Sequence, residues 1–212
     1  MSTAEDILAD ILAGRPLVAI LRGTARAEAV RLANAVWDTG LGVVEVTIQT
    51  PDAVQTLSAV AAAARERGEH CGAGTVVSAD QVRAAVAAGA VFTVAPGFDP
   101  AVAEASRAAG LPHVPGVATA TEVQRALAAG HTWLKMFPAG TLGPRWLREM
   151  RGPFPDLSFV ATGGVDADSA ADYLAAGAAA IGVGSAIGRA GELDRLVATL
   201  SERNTATASS PR

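Results

Sequence analysis

One recurring punctuation constrains this chain more than any other feature. A helical stretch ends in a glycine, often as Ala-Ala-Gly, and a short β-rich run follows within a few residues. Gly40, Gly68, Gly89, Gly110, Gly130, Gly152 and Gly177 carry the pattern, and most neighbours in that series are 20 to 25 residues apart. That spacing is one helix, one strand and two short loops, with glycine at the expected place just past a helix end. The strands predicted after the glycines are Val43–Ile48, Cys71–Thr75, Val91–Val94, His113–Pro115, Thr132–Met136, Ser158–Ala161 and Ala179–Val183; Leu17–Leu21 before them makes eight. Strands alternating with helices of this length imply parallel pairing with crossover helices. Eight such units close into a (β/α)8 TIM barrel, an α/β fold, here one domain over 1–203. An open doubly wound sheet is the rival, but its G-x-G-x-x-G fingerprint after the first strand is absent.

Outside the repeat, Ser2 to Ala13 reads as a short amphipathic helix with Ile7, Leu8, Ile11 and Leu12 on one face. Helix starts are expected at Thr24, Thr50, Ser78, Asp99 and Thr119 or Thr121, each a capping residue ahead of helix formers. The last helix is predicted over Glu192–Glu202, and 204–212 is a Ser/Thr/Ala-rich tail expected to be disordered. Nothing at the N-terminus reads as a signal or transit peptide, and no apolar run approaches a membrane span. A net charge of -4 without charge blocks argues against nucleic acid or a membrane surface as partner, and Cys71 as sole cysteine fits a reducing compartment. The expectation is a cytoplasmic protein.

Of the 17 Lys and Arg residues, 16 are arginine. The one lysine, Lys135, sits inside the apolar run Thr132-Trp133-Leu134-Lys135-Met136-Phe137-Pro138. Arginine keeps its proton in proteins, whereas a desolvated lysine can become a neutral amine and attack a carbonyl. Alternation puts Trp133 and Lys135 on one face and Leu134 and Met136 on the other. If the second pair packs against helices, Lys135 points into the barrel; the bland alternative is a lysine that snorkels to solvent. Glu45 is the only acid embedded in a strand, between Val44 and Val46. A carboxyl and an amine facing each other in a dry barrel can exchange a proton, although a structural ion pair would look the same in the sequence.

Barrel active sites lie at the C-terminal strand ends. There the seventh predicted strand gives Thr162-Gly163-Gly164 and the eighth gives Gly182-Val183-Gly184-Ser185, turns whose backbone N–H groups suit a phosphate. The third strand ends at Thr75, the fourth leads to Pro96-Gly97, and the first ends at Arg22, a cation suited to a carboxylate. His70, His113 and His131 fall at the opposite end, and no residue set has metal-ligand spacing.

Glu45-Val46-Thr47, Gly72-Ala73-Gly74-Thr75, Pro115-Gly116-Val117, Leu134-Lys135-Met136-Phe137-Pro138, Gly152-Pro153-Phe154-Pro155, Thr162-Gly163-Gly164-Val165 and Gly182-Val183-Gly184-Ser185 together resemble the KDPG/KHG aldolase family, class I enzymes acting on 2-keto-3-deoxy-6-phosphogluconate or 4-hydroxy-2-oxoglutarate. The match runs from about Leu17 to Gly188, in order and spacing. The resemblance implies Lys135 as Schiff-base residue and Glu45 as proton shuttle. It implies Thr75, Pro96 and Phe137 around the pyruvate part, and Thr162, Gly163, Gly164, Gly184 and Ser185 at the phosphate. It also implies a homotrimer, a phosphorylated 2-keto-3-deoxy sugar acid as small-molecule substrate, and neither cofactor nor metal. Many members carry arginine four residues after the glutamate, where this chain has Gln49; members without it tend to carry Leu-Arg at the end of the first strand, as Leu21-Arg22 does here. The carboxylate role thus moves to Arg22, with Gln49 in contention. The same Leu-Arg-Gly start also resembles the branch acting on 6-phosphogalactonate. A phosphosugar isomerase or epimerase, or a barrel that only binds a phosphorylated metabolite, are the readings of other classes.

Overall fold

A computed structural model describes the backbone of residues 3–208 and the side chains of residues 3–201. Among the described residues, nine helices and nine strands follow one another as α1 (Ala4–Leu12), β1 (Leu17–Leu21), α2 (Arg26–Asp38), β2 (Gly42–Thr47), α3 (Pro51–Arg67), β3 (Cys71–Gly74), α4 (Ala79–Ala88), β4 (Thr93–Val94), α5 (Pro100–Ala108), β5 (His113–Val114), β6 (Gly116–Val117), α6 (Ala120–Ala128), β7 (Trp133–Met136), α7 (Ala139–Arg151), β8 (Ser158–Thr162), α8 (Ala170–Ala175), β9 (Ala180–Val183) and α9 (Glu192–Ala208).

All pairings are parallel, in the order β5-β4-β3-β2-β1-β9-β8-β7-β6. The two ends of that order are consecutive pieces of one strand. The fifth predicted strand breaks at Pro115: β5 pairs with β4, and β6 pairs with β7. Proline has no N–H to donate and is confined to interruptions of a ladder. Its carbonyl still accepts from Lys135 N at 2.8 Å, so the break is bridged and the sheet closes into the expected barrel.

Alternation along the strands sorts the apolar side chains into two shells. The outer one packs Leu17, Ala19, Leu21, Val44, Val46, Leu134, Met136, Phe159 and Ala161 against the helices. The inner one gathers Val18, Ile20, Val43, Phe92, Val94, Val114, Val160 and Ala180, together with Leu8, Ile11 and Leu12 of α1. The N-terminal helix is therefore a plug that fills the barrel from below.

Thr50, Ser78, Asp99 and Thr119 cap their helices as expected. Thr24 does not: the residue at the start of α2 is Ala25, with no side-chain cap, and Thr24 faces a pocket at the barrel mouth instead. Helix α7 starts at Ala139, five residues ahead of Pro144, and bends at Gly143, whose left-handed φ of 74° interrupts it. Helix α9 continues past Glu202 to Ala208, so 204–208 of the expected tail are helical, and 209–212 lie outside the described residues. No helix among the described residues is long and apolar enough to cross a membrane.

Candidate active site

Lys135 and Glu45 meet inside the barrel. Lys135 is in β7 and Glu45 in β2, and both are almost fully buried, at 4% and 1% exposure. The inward face of each strand carries them, as Leu134 and Met136 take the helix side in the outer shell. Lys135 Nζ lies 3.7 Å from Glu45 Oε1, close enough for an ion pair and too far for a hydrogen bond. That oxygen has no hydrogen-bond partner among the described residues. A buried carboxylate oxygen without a partner costs free energy, and such groups are concentrated where chemistry needs them. The ammonium also stands 5.5 Å from the centre of the Phe137 ring.

Gly74 makes room for this pair. A Cβ there would sit 1.9 Å from Glu45 Oε1, so only glycine lets the carboxylate lie against β3. The next residue, Thr75, has φ 58°, a left-handed backbone that a β-branched side chain adopts only under strain. Its hydroxyl accepts a hydrogen bond from Arg22 Nη2 at 3.5 Å. Strain and the guanidinium coincide on one side of the mouth.

Above the pair opens a pocket of about 560 Å³ lined by Lys135, Phe137, Thr162, Gly163, Gly164, Arg22, Gly184 and Ser185, among others. Gly163 and Gly164 are both left-handed, at φ 91° and 79°, which turns the backbone sharply after β8. Below the pair a small cavity is lined by Leu8, Ile11, Leu12, Val18, Phe92, Val94, Val114 and Val160, with Glu45, Lys135 and Thr162 at its polar end. Lys135 and Thr162 thus sit where the apolar interior meets the mouth.

Most residues anticipated from the sequence come together, with three differences. Thr162 is buried at the floor of the mouth beside Lys135, deeper than a phosphate cradle alone would require. Gln49 is exposed beyond the end of β2 and is not among the residues lining the pocket, whereas Arg22 is. Pro96 borders a separate hollow with Val76, Val77, Ala95, Gly97 and Phe98. Sequence reasoning missed Thr24 and Glu28, which also line the mouth. Glu28 pairs with Arg31 on the same helix, at 2.5 Å, and in the sequence such an i,i+3 pair reads as surface charge.

The three histidines lie toward the lower end. His113 is buried and its Nδ1 is 2.9 Å from Thr93 Oγ1. Burial, then neighbouring His131, depress its pKa to about 3, against a smaller opposing pull from Glu5. Burial pushes the Cys71 thiol well above its ordinary value. No group of three or more His, Cys, Asp or Glu among the described residues could hold a metal ion.

Residues 8–198 match the family model described as KDPG and KHG aldolase. The chain is 38% identical over 178 residues to a protein of Rhizobium meliloti named probable 2-dehydro-3-deoxy-6-phosphogalactonate aldolase, covering 84% of each. It is 38% identical over 154 residues to 2-dehydro-3-deoxy-phosphogluconate aldolase of Treponema pallidum, covering 70% of each. Among solved structures, KDPG aldolase from Legionella pneumophila, with pyruvate captured as a covalent carbinolamine intermediate, superimposes with a TM-score of 0.79 at 29% identity, over 97% of this chain and 98% of that one.

Proposed function

The chain belongs to the KDPG and KHG aldolase family, and from that premise we propose that it is a Schiff-base aldolase cleaving 2-keto-3-deoxy-6-phosphogluconate to pyruvate and glyceraldehyde 3-phosphate. The observation that carries this reading is the buried Lys135–Glu45 pair, 3.7 Å apart, at the base of a mouth edged by glycine turns. Lys135 gives a proton to Glu45 and its amine attacks the C2 ketone. A C–N bond forms, and the carbonyl π electrons pass to oxygen, which takes the proton back to give the carbinolamine. The nitrogen passes its extra proton to Glu45, and loss of water with Glu45 as acid then leaves an iminium. Glu45 then removes the C4 hydroxyl proton; the C3–C4 bond breaks and its electrons enter the iminium, giving an enamine and the aldehyde. Protonation at C3 and hydrolysis release pyruvate and return the amine.

Arg22 holds the substrate carboxylate in this reading, since it lines the mouth and its guanidinium donates to the Thr75 hydroxyl. The turns at Gly163-Gly164 and Gly184-Ser185 hold the phosphate through backbone N–H groups, which bind anions without a cation. The galactonate epimer is a second reading, favoured by Leu21-Arg22 and by the name of the Rhizobium relative. Borohydride reduction in the presence of pyruvate is the test. A stable adduct is expected on the one lysine, read by intact mass and peptide mapping, and active, folded protein without an adduct overturns the proposal. Comparative kinetics on the two phosphorylated epimers separates the readings. We also propose a cytoplasmic homotrimer, the oligomer being checked by light scattering.

A further inference from the structure

The lower half of β7 lacks a hydrogen-bonded strand on one edge. On that edge Phe137 N donates to Val117 O at 3.1 Å and Lys135 N to Pro115 O at 2.8 Å. The next rung down belongs to Trp133 N. No strand receives it, because β6 pairs with β7 only at Lys135 and Met136, while β5 pairs with β4. A carboxylate from the far end of the chain takes its place. Glu5, in the first turn of α1, accepts from Trp133 N at 3.1 Å, Thr132 N at 2.9 Å and the Thr132 hydroxyl at 2.5 Å, all on one oxygen. Its other oxygen lies 3.8 Å from His131 Nδ1. Burial works against the charge on Glu5, and these partners outweigh it, holding the carboxyl below its ordinary range. Three donors on one oxygen, two residues below the amine, are more than a plug helix needs when Leu8, Ile11 and Leu12 already bury its apolar face.

We propose that Glu5 is a positioning residue for the Schiff-base lysine: its carboxylate stands in for the missing rung of β7 and sets the height of Lys135 against Glu45. The inference rests on the aldolase reading above. Carboxylate hydrogen bonds to backbone N–H groups are short, strong and directional, and a slip of the strand by an ångström can cost about a hundredfold in rate.

The test compares Glu5→Ala, Glu5→Gln and the native chain. In Glu5→Ala kcat is expected to fall at least about tenfold with KM for the phosphorylated substrate within about threefold, because the mouth is intact while the attacking atom is displaced. Glu5→Gln keeps an oxygen that accepts from both backbone amides, and kcat is expected to return to within about threefold of native. A structural role alone would lower melting temperature without separating kcat from KM. Native kcat in folded Glu5→Ala, or equal losses in Ala and Gln, overturns the proposal. If Glu5→Ala does not fold, Glu5→Asp decides by the same split, since it keeps the charge and withdraws it by one methylene. Borohydride trapping on the native chain isolates the premise: no adduct there refutes the aldolase reading, and amide exchange at Trp133 in Glu5→Ala then judges the clamp, with unchanged protection counting against it.

Discussion

His113 should make the fold acid-sensitive well above the range in which carboxylates titrate. The side chain is 2% exposed, with a pKa of about 3 against the ordinary 6.5. Its folded value is depressed, so between those two pH values the unfolded chain binds a proton that the folded chain refuses, and stability falls as pH falls. The onset is at the unfolded value, and the loss saturates below the folded one. A shift of about 3.5 units at about 1.4 kcal/mol each gives a total near 5 kcal/mol, of which roughly half is lost between pH 6.5 and 4.5. That is a large share of the roughly 5–15 kcal/mol by which a typical domain is stable. The titratable groups around the ring are His131 at 5.7 Å between ring centres, Glu5 across the plug, and the exposed Glu104–Arg107 pair bordering the same cleft. Glu5 acts in the same direction but lower, because a carboxyl with a depressed value begins to lose its contribution only below the ordinary carboxylate value and has lost it once pH is under the folded one. The assay is urea unfolding at pH 7.5, 6.5, 5.5 and 4.5 for the native chain and His113→Asn, which can still bond Thr93 and does not titrate. The native midpoint should fall steeply over the last two steps and the variant's should stay nearly level. Parallel slopes would refute the reasoning.

Three further outcomes follow from the site. Gly74→Ala should lower kcat by about a hundredfold or more, because its Cβ and Glu45 Oε1 cannot occupy the same space; steady-state kinetics on folded protein reads it, and native kcat would show that Glu45 works from another rotamer. Arg22→Ala should raise KM for pyruvate-end ligands by about tenfold, the scale of one charge-assisted hydrogen bond, while Gln49→Ala leaves KM unchanged; the reverse result moves the carboxylate to Gln49. Leu8→Ala should cost about 3 kcal/mol in urea unfolding, since Leu8 is 1% exposed between plug and barrel; a loss below about 1 kcal/mol would mean that α1 closes over the void.

Much of the fold is legible because the chain repeats one local grammar. Glycine after most helices and β-branched residues in most strands are short-range signals, and Gly68 and Gly89 take the left-handed C-cap the pattern calls for. The divided fifth strand is not legible as such. Pro115 reads as a strand end, and only pairing with β4 on one side and β7 on the other reveals two pieces of one strand. The start of α7 is hidden because Gly143 and Pro144 look like a boundary, whereas here they mark a bend. Lys135 and Glu45 stand out because each breaks the character of its own strand. Glu5 does not, because a first-turn acid reads as an ordinary partner of the helix dipole, and its contacts lie 127 and 128 residues away.

The solitary lysine has an analytical use. A protease that cleaves only after lysine meets a single bond in these 212 residues, Lys135–Met136, and burial of the side chain protects that bond until the protein is unfolded. Alkylating the amine through a reduced imine removes the recognition element. After unfolding, the digest becomes a two-state readout: molecules whose amine never engaged a ketone appear as two fragments, and those trapped in the act remain as one full-length chain. The ratio counts occupied sites directly, without a labelled substrate.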